Sequence, residues 1–140
     1  MPPRVTSLHR KIGHRKEMEP HPSLQSVADK GIYGDASFAR TRRQILLVSY
    51  SILTKFNLKP GDLRENIVIE GLDLDSLPLG TELKIGSSSM YITGLCDPCG
   101  RMDEIREGLQ MDLQGRRGVL ARATKDGQIS IGDSVEVSLP

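Results

Sequence analysis

Tryptophan is absent from this chain of 140 residues, and the other large aromatics are three Tyr and two Phe. A core built with so little ring surface is aliphatic, and the chain lacks the stacking platform on which single-stranded nucleic acids are bound. Cysteine is nearly as scarce. Cys96 and Cys99 are the only two, too few for a disulfide scaffold, and a chain of this length buries about two thirds of its unfolded surface without one. Long hydrophobic runs are missing as well. The longest is Ile45 to Val48, against the roughly 20 apolar residues of a membrane span, and Met1 to Lys11 lacks the apolar stretch of a secretory signal. One small cytoplasmic domain with reduced thiols and no membrane contact is the expectation.

Charge of one sign is also lacking overall, with 19 Lys and Arg against 18 Asp and Glu. Its distribution is uneven. Residues 1–43 hold nine basic and four acidic residues, whereas residues 44–140 hold ten and fourteen. The basic clusters are His9-Arg10-Lys11, His14-Arg15-Lys16 and Arg40-Thr41-Arg42-Arg43. Such density suits a phosphate or another anionic group, or simply a solvated surface. No nucleic-acid motif accompanies it, so nucleic acid is not an expected partner.

What is present reads mainly as β structure. Residues 1–26 read as a basic N-terminal strand and flexible loop belonging to the same domain as residues 27–140, with Ile12 to Gln25 as a long exposed segment. Beyond Arg43, short apolar stretches alternate with turn signals. Strands are predicted at Gln44–Val48, Ile67–Glu70, around Leu83 and Ile85, around Met90 and Ile92, at Gly118–Ala123, around Ile129 and Ile131, and at Val135 and Val137. Ser49 is placed to cap a short helix carrying Ile52, Leu53 and Phe56. Met102, Ile105, Leu109 and Leu113 recur at helical spacing and predict one amphipathic helix over 101–113, despite Gly108.

The most chemically informative stretch is Thr93-Gly94-Leu95-Cys96-Asp97-Pro98-Cys99-Gly100-Arg101. It joins a predicted strand to the predicted helix, and a helix start together with Arg101 favours the thiolate of Cys99, the form that ligates soft metals or carries sulfur. Three readings stay open on the residues alone: a sulfur or metal function, two small buried residues, or half of a zinc site. Zinc would need two further ligands from the distant His9, His14 and His21. A thioredoxin-like reading would want alternating strands and helices, which the pattern lacks.

Several short signals occur together in order: Gly31-Ile32-Tyr33-Gly34-Asp35, Arg43-Gln44-Ile45-Leu46-Leu47 and Pro60-Gly61-Asp62-Leu63-Arg64-Glu65-Asn66-Ile67. They continue with Glu70-Gly71-Leu72, Leu77-Pro78-Leu79-Gly80, Pro98-Cys99 and Gly115-Arg116-Arg117-Gly118-Val119. In this order they resemble the MOSC domain family, named after the C-terminal domain of molybdenum cofactor sulfurase. The resemblance implies a closed, strand-rich barrel of the pyruvate-kinase-barrel type with a few short helices. It implies molybdenum ion binding through a pterin (molybdopterin) cofactor, or carriage of cofactor sulfur, with Cys99 as the catalytic and metal-binding thiol. Some members reduce N-hydroxylated compounds at the molybdenum, which here would need a separate electron-donor protein. Others are fused to a pyridoxal-phosphate cysteine desulfurase, so pyridoxal phosphate would enter only through a partner protein. Whether this chain is an enzyme stays open, the alternatives being a sulfur carrier or binding module, or a barrel that has lost the chemistry.

On the resemblance, Asp35, Arg43, Glu65, Asn66, Thr93, Arg116 and Arg117 are the candidate cofactor contacts, the arginines as clamps for the pterin phosphate. Each has a plainer reading as a surface charge, an ion pair or a turn hydrogen bond. Two positions depart from the family: Ser37 stands where many members have histidine, and Cys96 where many have arginine. Cys96 could resolve a persulfide on Cys99 as a disulfide, or be inert packing.

Overall fold

A computed structural model describes residues 2–140. The strands are β1 (Arg4–Arg10), β2 (Glu19–Pro20), β3 (Ser23–Val27), β4 (Gly31–Ile32), β5 (Ile45–Ser49), β6 (Ile67–Glu70), β7 (Glu82–Ile85), β8 (Ser88–Leu95), β9 (Val119–Lys125), β10 (Gly127–Ser130) and β11 (Val135–Ser138). Three short helices interrupt them, α1 (Tyr50–Lys55), α2 (Arg101–Ile105) and α3 (Leu109–Asp112), together with a 3₁₀ turn at Leu74–Ser76. Eight strands pair in the order β11-β7-β8-β9-β5-β6-β1-β2, and β10-β3-β4 form a second sheet.

The mainly β class is as expected, but the large sheet is not a closed barrel. Its ladder ends at β11 on one side and at β2 on the other. The start of β1 does approach the β11 end, through the hydrogen bonds Val5 N–Asp133 O, Gly132 N–Val5 O and Val135 N–Pro3 O. These contacts surround a single bridge, Arg4 to Ser134, and do not extend into a paired strand. A turn at Gly132-Asp133 occupies the place where a continuous ladder would run.

Every residue of β5 is buried, and its alternation serves two cores. Ile45 and Leu47 join Val5, Leu8, Ile67, Ile69, Leu83, Met90 and Ala121 in the interior of the curved sheet. Leu46 and Val48 point the other way, into a cluster with Leu53 of α1, Leu63, Val68, Cys96, Met102 of α2, Leu109 of α3, Leu113 and Leu120. This second cluster lies beneath the segments that carry Arg43, Cys99 and Arg117.

Three local expectations are corrected. The exposed segment 12–25 contains β2 and the start of β3, which pairs with β10 through Leu24 opposite Ile129 and Ser26 opposite Gly127. Leu24 is buried, and one apolar residue among polar neighbours gives too weak a period to read. The single helix 101–113 is two: Arg106 is extended, Gly108 takes φ +86°, and the Asp103 carboxylate accepts from the Gln110 N–H at 2.9 Å. Met102, Leu109 and Leu113 stay buried in the same cluster, which is why the periodicity looked continuous. Ser49 precedes α1 but does not cap it; its hydroxyl donates to Leu72 O and accepts from Leu74 N–H, tying the 3₁₀ turn to β5.

Candidate functional site

A cleft of about 190 Å³ lies over the second cluster, between the end of β8, the segment before β5, the segment before β6 and α2. Its lining includes both cysteines and six cations: Lys11, Arg40, Arg43, Arg64, Arg101 and Arg117. The one carboxylate in that lining is the exposed Asp97. Ion pairs among the described residues are Arg4–Glu70, Arg10–Glu19, His21–Glu19, Arg15–Glu104 and Arg122–Asp29. None uses a cleft cation. Arg64, Arg101 and Met102 are shared with an adjoining, larger trough of about 570 Å³ whose far wall is Arg15–Met18 and Lys59–Asp62.

Arg117 is the most constrained of the six. It is 7% exposed, and its Nη2 donates to Leu63 O at 2.9 Å, its Nε reaches Met102 Sδ at 3.3 Å, and its Nη1 points at Cys96 Sγ. A buried guanidinium without a carboxylate is costly, so the donor array must be satisfied by these soft and neutral acceptors. Gly118 makes the approach possible. Its φ is +126°, and a Cβ there would meet Leu47 O at 2.5 Å, while its own carbonyl accepts from Cys96 N–H at 2.9 Å. Arg43 is exposed and brings Nη2 to 3.9 Å from Cys96 Sγ. Cys96 is buried and Cys99 exposed.

The cations also act on each other. Burial holds Lys11 below the usual lysine range, Asp35 opposes that, and the Arg64, Arg40 and Arg117 charges push further down. Arg64 is likewise lowered by burial first and then by the Arg101 charge. Its guanidinium is committed to Lys16 O at 2.7 Å and Gly13 O at 3.0 Å, which hold the β1–β2 loop against the trough.

Asp35 and Asn66 are pins in the framework. Asp35 accepts from Lys11 N–H at 2.6 Å, Ser37 N–H at 2.9 Å and Asn66 Nδ2 at 2.9 Å. Asn66 also accepts from Leu46 N–H at 3.0 Å and donates to His9 O at 3.1 Å. Together they fix Lys11, Ser37 and the start of β5 around the cleft, which Asn66 itself lines. Thr93 lies outside that lining; its hydroxyl donates to Arg42 O at 2.8 Å and anchors the Arg40–Arg43 loop to β8. Glu65 is fully buried, with Oε2 accepting from Gly61 N–H at 2.9 Å and Oε1 without a partner. Burial pushes its carboxyl up to about 7. Arg116 faces away, its guanidinium 5.7 Å from the centre of the Phe56 ring. The cleft thus gathers Cys99, Arg43, Asn66 and Arg117 from the sequence-level candidates, with Asp35 behind its wall, and leaves Thr93, Glu65 and Arg116 outside it.

Sequence reasoning passed over Lys11, Arg40 and Arg64 as cleft residues. Lys11 and Arg40 belong to the basic clusters and Arg64 to the Pro60–Ile67 signal, so the residues were visible but their convergence was not. Among the described residues no three His, Cys, Asp or Glu side chains gather to hold a metal by themselves. No described helix is long and apolar enough to cross a membrane.

These features define a β-rich domain with a cationic, thiol-bearing cleft. A family model for the MOSC domain matches residues 32–136, and the chain belongs to that family, which is associated with molybdenum-cofactor proteins. Among solved structures it is similar to the YuaD protein of Bacillus subtilis, at 21% identity and TM-score 0.84 over 98% of this chain and 96% of that one. It is also similar to YiiM from Geobacillus stearothermophilus, at 15% identity and TM-score 0.77 over 98% and 75% of the two chains. YiiM from Escherichia coli gives 15% identity and TM-score 0.70 over 98% and 70%. At these identities the likeness is one of fold. No curated protein matches the sequence.

Proposed function

We propose that the cleft binds an anionic molybdenum-pterin cofactor, with Cys99 as the protein sulfur that meets the metal. The observation that carries this reading is the set of six cleft cations without an ion-pair partner around an accessible thiol. Like charges held together cost free energy, and an anion bound among them recovers it. The residues fit the group: a phosphate takes guanidinium donors in bidentate fashion, a molybdenum centre takes a soft thiolate, and the adjoining trough gives length beyond the 190 Å³ of the cleft alone. Bound there, such a cofactor would supply two-electron oxygen-atom chemistry, including reduction of N-hydroxylated compounds with electrons from a separate donor protein.

The protein's own part is binding and orientation. Arg43 and Arg101 offer the donors, Lys11 and the protein-bonded guanidiniums of Arg64 and Arg117 add positive charge, and Asp35 and Asn66 fix the walls. Cys99 is presented on the irregular segment between β8 and α2, where its thiol is open to the cleft. A sulfur-carrier role, with a cysteine desulfurase as partner, is the second reading, favoured by the presence of two thiols in one cleft. Elemental analysis of protein expressed with a working molybdenum-cofactor pathway separates them. The cofactor reading expects molybdenum near one per chain and its loss in Cys99→Ser; the carrier reading expects no molybdenum and a persulfide on Cys99 after incubation with a desulfurase and cysteine.

A further inference from the structure

The two cysteines share one cleft but not one environment. Cys96 Sγ lies at the focus of two guanidiniums, Arg117 Nη1 and Arg43 Nη2, while Cys99 stands exposed three residues later. The linking residues Asp97 and Pro98 belong to no helix or strand, α2 begins only at Arg101, and the pairing of β8 with β9 is complete by Leu95. The link can therefore fold back on itself without unpairing a strand.

We propose that Cys96 and Cys99 form a reversible disulfide under a peroxide-class oxidant, and that its formation hands Arg117 and Arg43 from sulfur to a free phosphate-class anion in the cleft, one that Cys99 does not ligate. Cys99 sulfur attacks one peroxide oxygen, the O–O bond breaks, a sulfenic acid forms and the departing hydroxide takes a proton to leave as water. Cys96 sulfur then attacks the Cys99 sulfur, the S–S bond forms, the S–O bond breaks, and the hydroxide leaves with the Cys96 thiol proton as a second water. Two sulfurs give up one electron each, and the two peroxide oxygens are reduced. A small-molecule dithiol reverses the step by exchange. Forming the S–S bond draws the Cys96 sulfur to Cys99 and away from Arg117 Nη1 and Arg43 Nη2, so the buried guanidinium of Arg117 loses its partner and its field turns to any anion in the cleft. The coupling rests on the reading of the cleft as an anion site; the disulfide does not.

The test uses the full chain in two states, reduced by dithiothreitol and oxidised by hydrogen peroxide, with intact mass, thiol titration and calorimetric titration by pyrophosphate. The oxidised wild type is expected to lose two hydrogen atoms and both free thiols as a monomer, while Cys96→Ser stops at a dimedone-reactive sulfenic acid on Cys99. Pyrophosphate is expected to bind the disulfide form about fivefold more tightly. By reciprocity, saturating pyrophosphate makes the midpoint potential of the couple about 20 mV more negative. Arg43→Gln, an exposed substitution that spares the core, narrows the difference in affinity between the two forms. The proposal is overturned if peroxide gives no intramolecular disulfide, whether or not Cys96→Ser yields the sulfenic acid, or if both redox forms bind pyrophosphate equally. Absence of pyrophosphate binding in either form removes the coupling and the anion reading together, a different result from equal binding.

Discussion

The interior of the sheet and the cleft outside it are built by opposite rules. Inside, Val5, Leu8, Ile45, Leu47, Ile67, Ile69, Leu83, Met90 and Ala121 fill the space with apolar side chains, each at most 1% exposed. Outside, on the other face of the same β5, the apolar layer of Leu46, Val48, Leu63, Met102 and Leu120 supports a buried guanidinium, a buried thiol and five further cations. The inner face satisfies every local rule of a stable core, and the outer face keeps like charges together and a charged group buried beside sulfur. Proteins keep such conflicts where a ligand resolves them. The contrast places the apolar stability core on one side of β5 and the proposed anion site on the other.

The contrast can be broken from either side, and the largest effect is expected inside. Leu47→Ala removes a fully buried side chain from the interior and should cost about 2–5 kcal/mol in denaturant unfolding, with pyrophosphate affinity of the remaining folded protein unchanged. A cost below 1 kcal/mol would mean that the interior is not the stability core.

Glu65 sits between the two regimes, buried like the interior and titratable like the cleft. With its folded value raised to about 7 from the ordinary 4.5, the unfolded chain loses the proton first, so stability falls as pH rises from about 4.5 to 7 and then stays at the lower level. The full difference is about 3 kcal/mol. Glu65→Gln should therefore be more stable than the wild type at pH 8 by up to that amount and equal to it near pH 4, as read from unfolding midpoints at the two pH values. A wild type whose stability is flat between pH 5 and 8 would remove Glu65 from this account.

Gly118→Ala places a Cβ 2.5 Å from Leu47 O and in a left-handed backbone, and should cost about 2–3 kcal/mol while also disturbing Arg117 and Cys96 beside it. It is the substitution for which stability and anion binding should fall together. Arg43→Gln and Arg116→Gln form the small end of the scale. Both residues are exposed, and each should change stability by less than about 0.5 kcal/mol. Arg43→Gln should weaken pyrophosphate binding, whereas Arg116→Gln, on the Phe56 ring and outside the cleft, should leave it as in the wild type. Equal losses in the two variants would mean that a diffuse surface charge, and not the cleft, attracts the anion.

That pair also shows where the sequence was legible and where it was not. Arg116 and Arg117 are adjacent in Gly115-Arg116-Arg117-Gly118, and nothing in that tetrapeptide says which one enters the cleft. The choice follows from the turn at Gly118 and the direction in which β9 leaves it, which are tertiary facts. The strand at Ile67–Glu70 was readable to the residue because its apolar run is bounded by Asn66 and Gly71. The break after Ile105 was not, because Met102, Leu109 and Leu113 remain buried across it. Whether the sheet closes depends on the Gly132-Asp133 turn at the seam between β1 and β11, a long-range contact with no local signature. Cys99 could be singled out from its Pro-Cys motif, but the meeting of Cys96 with Arg117, 21 residues on, could not.

The proposal for the cleft is that its cations, none of them in an ion pair, are kept free to bind an anion. Calorimetric titration of the reduced chain with pyrophosphate, alongside an Arg43→Gln/Arg101→Gln double variant, tests it most directly. One saturable site per chain is expected, weakening with salt and lost or weakened at least about tenfold in the double variant. Absence of saturable binding, or binding that the double variant leaves unchanged, would contradict it.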